Sequence, residues 1–315
     1  MASLEQSFNG TWLKLSPSGL EVSRSFTDDW IRCPSMSKID SQACLHFIHS
    51  TRTVLGDIMN STLLQCFSQH LPKIVIKSSK AIQTSESSRT VKNEKAPRIL
   101  ITDTGGQYWN IADRYLKENS ESLAEEYLGI PERDPEVLNE ADVVSHARFN
   151  LVRPVVRALE HGRLAGKIKV CSELQTEALR VDLGVAYESD EGRHIVMMIE
   201  YKKVCLIRPR FFEQAMWSKV EVDKDSQPLK NNDRRYLSST SSELKLVKQA
   251  KAYAKRANCL YVALCDYESL ILLNFSERLD VVNVTIVDKT QIRFRKALLG
   301  FLLTAVEHYK DEPTV

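Results

Sequence analysis

Two carboxylates and a lysine end two neighbouring apolar runs of this chain: Asp182 in RVDLGVAY, and Glu200 and Lys202 in MMIEYKK. Residues Val181 to Tyr187 and Ile195 to Tyr201 read as strands, and the polar stretch Glu188 to Arg193, with Gly192, reads as the turn of a β-hairpin. A turn symmetric about residue 191 sets Asp182 opposite Glu200. Directly opposed Cβ atoms in such a ladder lie about 4.5–5.5 Å apart. Lys202, two residues on, projects from the same face as Glu200. Opposed carboxylates repel on a bare sheet, and a divalent cation between them removes the penalty. Mg²⁺ takes one or two carboxylates together with water and phosphate oxygens. A lysine beside it can orient or deprotonate water, or stabilise charge on a phosphate. Together these groups are suited to phosphodiester hydrolysis.

The elements that must hold these residues are legible around them. Ile195 to Tyr201 is apolar on both faces, as expected of a central strand. Lys167 to Leu174 alternates and forms a third strand candidate. Upstream, Glu140, Val144, Ala147, Leu151 and Val155 share one face of a helix spanning about Asn139 to Leu164. Pro154 must kink that helix or start a second one in its first turn. Downstream, Thr240-Ser-Ser-Glu243 has a capping-box pattern and opens a helix reaching about Ala257, with Gln249 and Tyr253 on one stripe. Strands are expected at Cys259–Cys265, Leu270–Phe275 and Val281–Val287, then an amphipathic helix Gln291–Tyr309. Ile99 to Thr102 reads as a short strand before the turn Asp103-Thr-Gly-Gly106, which lacks the spacing of a phosphate-binding loop.

Asp182 followed by Glu200-Tyr201-Lys202 resembles the signature of the PD-(D/E)XK nuclease superfamily, with Val181 where the signature has Pro. The segment EADVVSHARFNLVRPVVRAL resembles the opening helix of PD-(D/E)XK nuclease-like proteins common in filamentous fungi, and the resemblance covers about residues 140–275. It implies an α/β, restriction-endonuclease-like fold: a mixed central sheet flanked by helices, here preceded by an N-terminal region of undetermined fold. It implies Mg²⁺ or Mn²⁺ held by Asp182 and Glu200 with the Tyr201 carbonyl, Lys202 positioning the attacking water, and Gln249 steadying water or phosphate. A helix Glu also belongs to the pattern; Glu140 is the first choice, with Glu160, Glu173 and Glu177 as rivals. The implied activity is metal-dependent hydrolysis of nucleic acid, with DNA the expected substrate. The alternatives are a catalytically silent nuclease-fold protein binding nucleic acid or protein, and an accessory protein that merely keeps the fold.

Composition bounds these readings. Across 315 residues, Lys+Arg 43 against Asp+Glu 41 gives a net charge of +2, which excludes a strongly basic nucleic-acid coat protein but not a local basic face. Lys248, Lys251 and Lys255 form one such stripe; Arg208, Arg210, Phe211, Phe212 and Trp217 read as packing. Residues 96–142 carry eleven acidic and four basic side chains, a solvated acidic face. The seven cysteines contain no CxxC pair and suit a reducing compartment rather than a zinc site; His46 and His49 lack partners at metal-site spacing. The longest apolar run, Ala297 to Val306, is too short to cross a bilayer, and the N-terminus lacks a secretory pattern, so an intracellular protein of nucleus or cytoplasm is expected. Residues 77–95 read as a polar linker between a region 1–76 and a nuclease-like domain 96–315, and 219–242 as a mobile loop.

Overall fold

The computed structural model of the chain describes residues 5–8, 11–16, 19–24, 61–77, 94–128, 136–176, 179–190, 192–219, 222, 237, 241–288 and 290–311. Met1–Gly56 and Asp57–Val315 form two compact units. In the first, β1 (Glu5–Phe8), β2 (Thr11–Ser16) and β3 (Gly19–Arg24) make an antiparallel meander with Glu5 opposite Lys14 and Leu15 opposite Leu20. His46 and His49, Glu177, and most of the expected linker and of the loop 219–242 lie outside the described residues.

The second unit is built on an eight-stranded mixed sheet. It combines strands β5 (Ile99–Thr102), β7 (Ile168–Thr176), β8 (Leu179–Ser189), β9 (Gly192–Tyr201), β10 (Met216–Trp217), β11 (Tyr261–Cys265), β12 (Ser269–Phe275) and β13 (Val281–Asp288) in the order β10-β5-β13-β12-β11-β9-β8-β7. Pairing is parallel at β10/β5, β5/β13 and β11/β9 and antiparallel elsewhere. A separate two-stranded ladder pairs β4 (Val75–Ile76) with β6 (Glu136–Val137).

Period-two alternation splits each central strand between two helical layers. In β11, Ala263 and Cys265 join a core with α8 (Phe294–Asp311), α2 (Gly106–Glu118), α4 (Glu140–Ala147) and α5 (Arg153–Glu160). Val262 and Leu264 join the opposite core under α7 (Ser242–Ala257). β9 lies between β8 and β11, and its run Val196 to Ile199 is buried throughout, as its unbroken apolarity requires. The short α1 (Leu63–Cys66) and the turn after it add Leu63, Phe67 and Leu71 to the α8 core, so residues 61–77 pack within the second unit. Two more helices, α3 (Ser120–Glu125) and α6 (Pro209–Ala215), complete the described elements. Gly300 lets α8 approach α2: a Cβ there would lie 1.9 Å from the Tyr108 carbonyl oxygen.

Pro154 occupies the first turn of α5, as its missing N–H allows. Between α4 and α5 the chain winds as a π-segment, Arg148–Val152, a local widening absent from the simple helical stripe. The helix α7 starts one residue later than the capping pattern indicates. Ser241 is its N-cap and accepts from Leu244 N at 3.1 Å. Glu243 is instead wholly buried in a two-pronged pair with Arg208, at 2.7 and 3.0 Å. The Arg208 and Arg210 guanidinium groups stack on Phe211, while Phe212 is buried, so this cluster serves packing. No helix among the described residues is long and apolar enough to cross a membrane.

Candidate active site at the end of the β8–β9 hairpin

The hairpin places Asp182 by a route different from the symmetric turn read in the sequence. Its tip is tighter: Ser189 pairs with Gly192, Glu188 with Arg193, and Ala186 with Ile195. Continued unchanged, that register would bring Asp182 opposite the apolar Ile199. A shift between Val185 and Ala186 leaves Val196 as an extra residue on β9, after which Val185 pairs with Met197 and Leu183 with Ile199. Carried one step past the last pair, this register brings Asp182 to face Glu200. A one-residue slip turns every side chain to the other face, so the bulge determines that the two carboxylates meet.

At this end of the hairpin the ladder gives way to side-chain contacts. Asp182 Oδ2 accepts from Tyr201 N at 2.8 Å. Lys202 Nζ donates to Glu200 Oε1 at 2.6 Å, and Gln249 Nε2 donates to the same oxygen at 2.8 Å. Gln249 also donates to the Tyr253 hydroxyl, one turn along α7. Lys202 N donates to Cys265 O at 2.8 Å, which extends the parallel β9/β11 pairing and fixes the lysine's backbone. Glu200 and Lys202 are only 5% and 6% exposed. Asp182, Glu200, Lys202 and Gln249 are therefore brought together. Tyr253, read in the sequence only as a stripe neighbour, belongs with them.

Glu140 joins from α4. Burial raises its carboxyl above the ordinary value, Lys202 opposes the rise, Asp182 adds to it, and the backbone N–H of Lys203 opposes it in turn. The capping of α4 explains its placement: Asn139 accepts from Asp142 N while Asp142 accepts from Asn139 N, so the chain enters the helix sharply and Glu140 is its first residue. The rivals fare differently. Glu160 is exposed and paired with Arg157. Glu173 is exposed, lies 4.0 Å from Arg180, and adopts the left-handed φ of 50° at the unpaired β7 position between the Ser172–Leu183 and Leu174–Val181 pairs.

Burial dominates the electrostatics. It pushes Asp182 and Glu140 above the usual carboxylate range and Glu200 up to about 7. Lys202 opposes the rise at all three, so one ammonium is the shared counter-charge of three carboxylates. Glu200 Oε1 has two donors, whereas Oε2 is buried with no hydrogen-bond partner among the described residues, the nearby Tyr253 hydroxyl only helping to hold the carboxyl down. An unmet buried acceptor costs about 1–3 kcal/mol, and a cation would meet it. Among the described residues no three His, Cys, Asp or Glu side chains converge as a complete cation cage. Mg²⁺ does not require one, since it keeps several waters and uses one or two carboxylates. The residues therefore fit a hydrated divalent cation at Asp182 and Glu200.

Asp266 is a buried carboxylate that the sequence reading passed over. Its Oδ2 accepts from Ile207 N at 2.9 Å, and its Oδ1 from Glu268 N at 3.1 Å and Ser269 N at 2.8 Å. Burial pushes it up to about 7 against these three donors. The signal was local: an Asp whose carboxylate takes the backbone N–H groups two and three residues on makes a side-chain turn. It ties the segment after Lys202 to the β11–β12 turn. Lys248 and Lys251 are half-buried and Lys255 exposed on α7. Comparison with protein-family models, with curated proteins and with solved structures finds no match.

Proposed function

We propose that the chain is a Mg²⁺-dependent nuclease, or a nuclease-like protein, of the PD-(D/E)XK kind with a restriction-endonuclease-like fold, acting on nucleic acid and by expectation on DNA. The observation that carries this reading is the opposed Asp182 and Glu200 with Lys202 on the same side, and Glu200 Oε2 left without a partner. The order of elements supports it too: an antiparallel hairpin, the crossover helix α7, then β11 parallel to β9. Mn²⁺ suits the same oxygen-rich ligands.

Asp182 and Glu200 would hold the cation, with the Tyr201 carbonyl at the same strand end. Once bound, the ion supplies positive charge that lowers the pKa of its water and offsets charge on the phosphate. The chain's own residues do the remaining work. Lys202 leaves Glu200 Oε1 to orient the attacking water or to stabilise the phosphate oxygens in the transition state. Gln249, held by Tyr253, stays on Glu200 and fixes the carboxylate's rotamer. Glu140 adds a third carboxylate beside the Lys202 ammonium.

A second reading has its own observation. Lys202 and Gln249 together satisfy Glu200 Oε1 internally, an arrangement that also suits a catalytically silent fold used for binding nucleic acid or protein. A calorimetric titration of the full chain with Mn²⁺ at pH 8, repeated on Asp182→Ala, separates the two. The nuclease reading expects saturable binding to the wild type and a loss of at least about tenfold in affinity in Asp182→Ala, the scale of one lost ligand. No binding to the wild type favours the silent fold.

A further inference from the structure

On a different part of the same unit, Arg295 in the first turn of α8 is 5% exposed and has no carboxylate partner among the described residues. Its Nε donates to Asn150 O at 2.7 Å, and its Nη1 to Cys66 O at 2.8 Å and Gln69 O at 3.0 Å. These bonds hold α1 and the π-segment to α8. No acceptor among the described residues takes the N–H groups of Nη2, which is not among the fully buried unpartnered atoms. Buried charges are ordinarily paired, because carbonyl dipoles do not replace a counter-ion.

The same guanidinium lines a small cleft that also receives Arg153, Phe149, Leu128 and Pro154. Among the described residues, two arginines and no Asp or Glu line it. Arg153 lies over the Phe149 ring at 5.1 Å, which holds one guanidinium at the mouth while the other sits at the base. Phe149, Leu128 and Pro154 give the cleft an apolar wall. The π-segment supplies Phe149 and Asn150 together, and Asn150 is tied in turn to the Tyr267 hydroxyl at 3.2 Å, so the base of the cleft is rigid.

We infer that this cleft is a binding site for a phosphate group, with Arg295 at its base and Arg153 at its mouth. Guanidinium forks match phosphate oxygens in two-pronged hydrogen bonds, and the apolar wall suits a phosphate monoester with a flat organic body. Burial alone disfavours the charged form of Arg295, and a bound dianion reverses that. A merely structural Arg295 accounts for the three carbonyl bonds but not for the idle Nη2 or for the second arginine.

The test is calorimetric titration of the full chain with inorganic phosphate and with phenyl phosphate, in EDTA and about 150 mM salt, where metal-site binding is suppressed and surface attraction is screened. The wild type is expected to bind with Kd of about 1 mM or tighter. Arg153→Ala, an exposed change, should weaken binding about tenfold, the scale of one charge-assisted pair. Leu128→Glu places a carboxylate in the cleft and should abolish binding. Lys202→Ala, at the other site, should leave it unchanged. Phenyl phosphate binding more tightly than phosphate identifies a monoester ligand; equal binding identifies free phosphate. The inference fails if the wild type binds neither, if Arg153→Ala binds as well as the wild type, or if Lys202→Ala loses the binding. Should Leu128→Glu not fold, Arg153→Ala decides alone.

Discussion

Replacing Lys202 by Met keeps the length of the side chain and deletes its charge. Glu200, 5% exposed, then loses its nearest cation, and Glu140 and Asp182 lose theirs as well. Breaking a buried pair from one side costs roughly 3–5 kcal/mol when the remaining charge must stay ionised. Whether it must depends on pH. Burial holds Glu200 up to about 7, above its ordinary value of 4.5. The folded protein therefore binds a proton more tightly than the unfolded one, and stability falls as pH rises from about 4.5 through 7. Without Lys202 the folded carboxylate rises further, so that fall extends to higher pH. At pH 8 the cost of Lys202→Met should be near 3–5 kcal/mol. At pH 5 Glu200 keeps its proton in both proteins, and only a hydrogen bond is lost, about 1 kcal/mol. Urea unfolding of wild type and variant at the two pH values measures the difference directly. Equal costs at pH 5 and pH 8, or a larger cost at pH 5, would refute the burial argument. Saturating Mg²⁺, at about 100 times its Kd, should return about 2.7 kcal/mol to the variant at pH 8.

Two other sites make firm expectations. Asp266→Ala strands three backbone N–H groups beneath the segment after Lys202; at about 1 kcal/mol or more for each, it should cost at least about 3 kcal/mol in urea unfolding, and Asp266→Asn should recover part of that. Gly300→Ala forces a Cβ into the Tyr108 carbonyl at 1.9 Å, so circular dichroism should show a protein that is unfolded or melts far below the wild type, whereas Thr304→Ala, on the same helix and only half-buried, should melt nearly normally.

The hairpin was legible because both its strands announce themselves by apolar runs and its turn by polar residues. Its final register was not. Pairing Asp182 with Glu200 followed in the sequence from a turn symmetric about residue 191, whereas the chain turns more tightly and recovers the register through the extra residue Val196. A bulge leaves no compositional mark in IVMMIEY. Glu140 and Gln249 were implied by the resemblance, and helical spacing set each on the apolar stripe of its helix. The neighbours that fix them were harder: the Lys203 N–H at Glu140 is a backbone group, and the Glu243–Arg208 pair disguised itself as a capping box. Arg295 was passed over because its partners are carbonyls far along the chain, and Asp266 because its local turn with Glu268 and Ser269 does not announce the distant Ile207 N–H. The meander β1–β3 escaped notice because residues 1–75 mix short apolar patches with Ser, Thr and Asn.

The central claim is that Asp182 and Glu200 hold a cation whose chemistry Lys202 completes. Its most direct test is cleavage of duplex, branched and single-stranded DNA and of RNA by the purified chain, with Mg²⁺ and with EDTA, alongside Glu200→Ala and Lys202→Ala. The account predicts that the wild type cuts at least one substrate only with Mg²⁺. Lys202→Ala should lose about 10²–10³ in rate, the scale of a lost transition-state contact, without rescue by extra Mg²⁺. Glu200→Ala, which removes a ligand, should be partly restored by excess metal. Full activity in Lys202→Ala, or no metal-dependent cleavage of any substrate by the wild type, would contradict it.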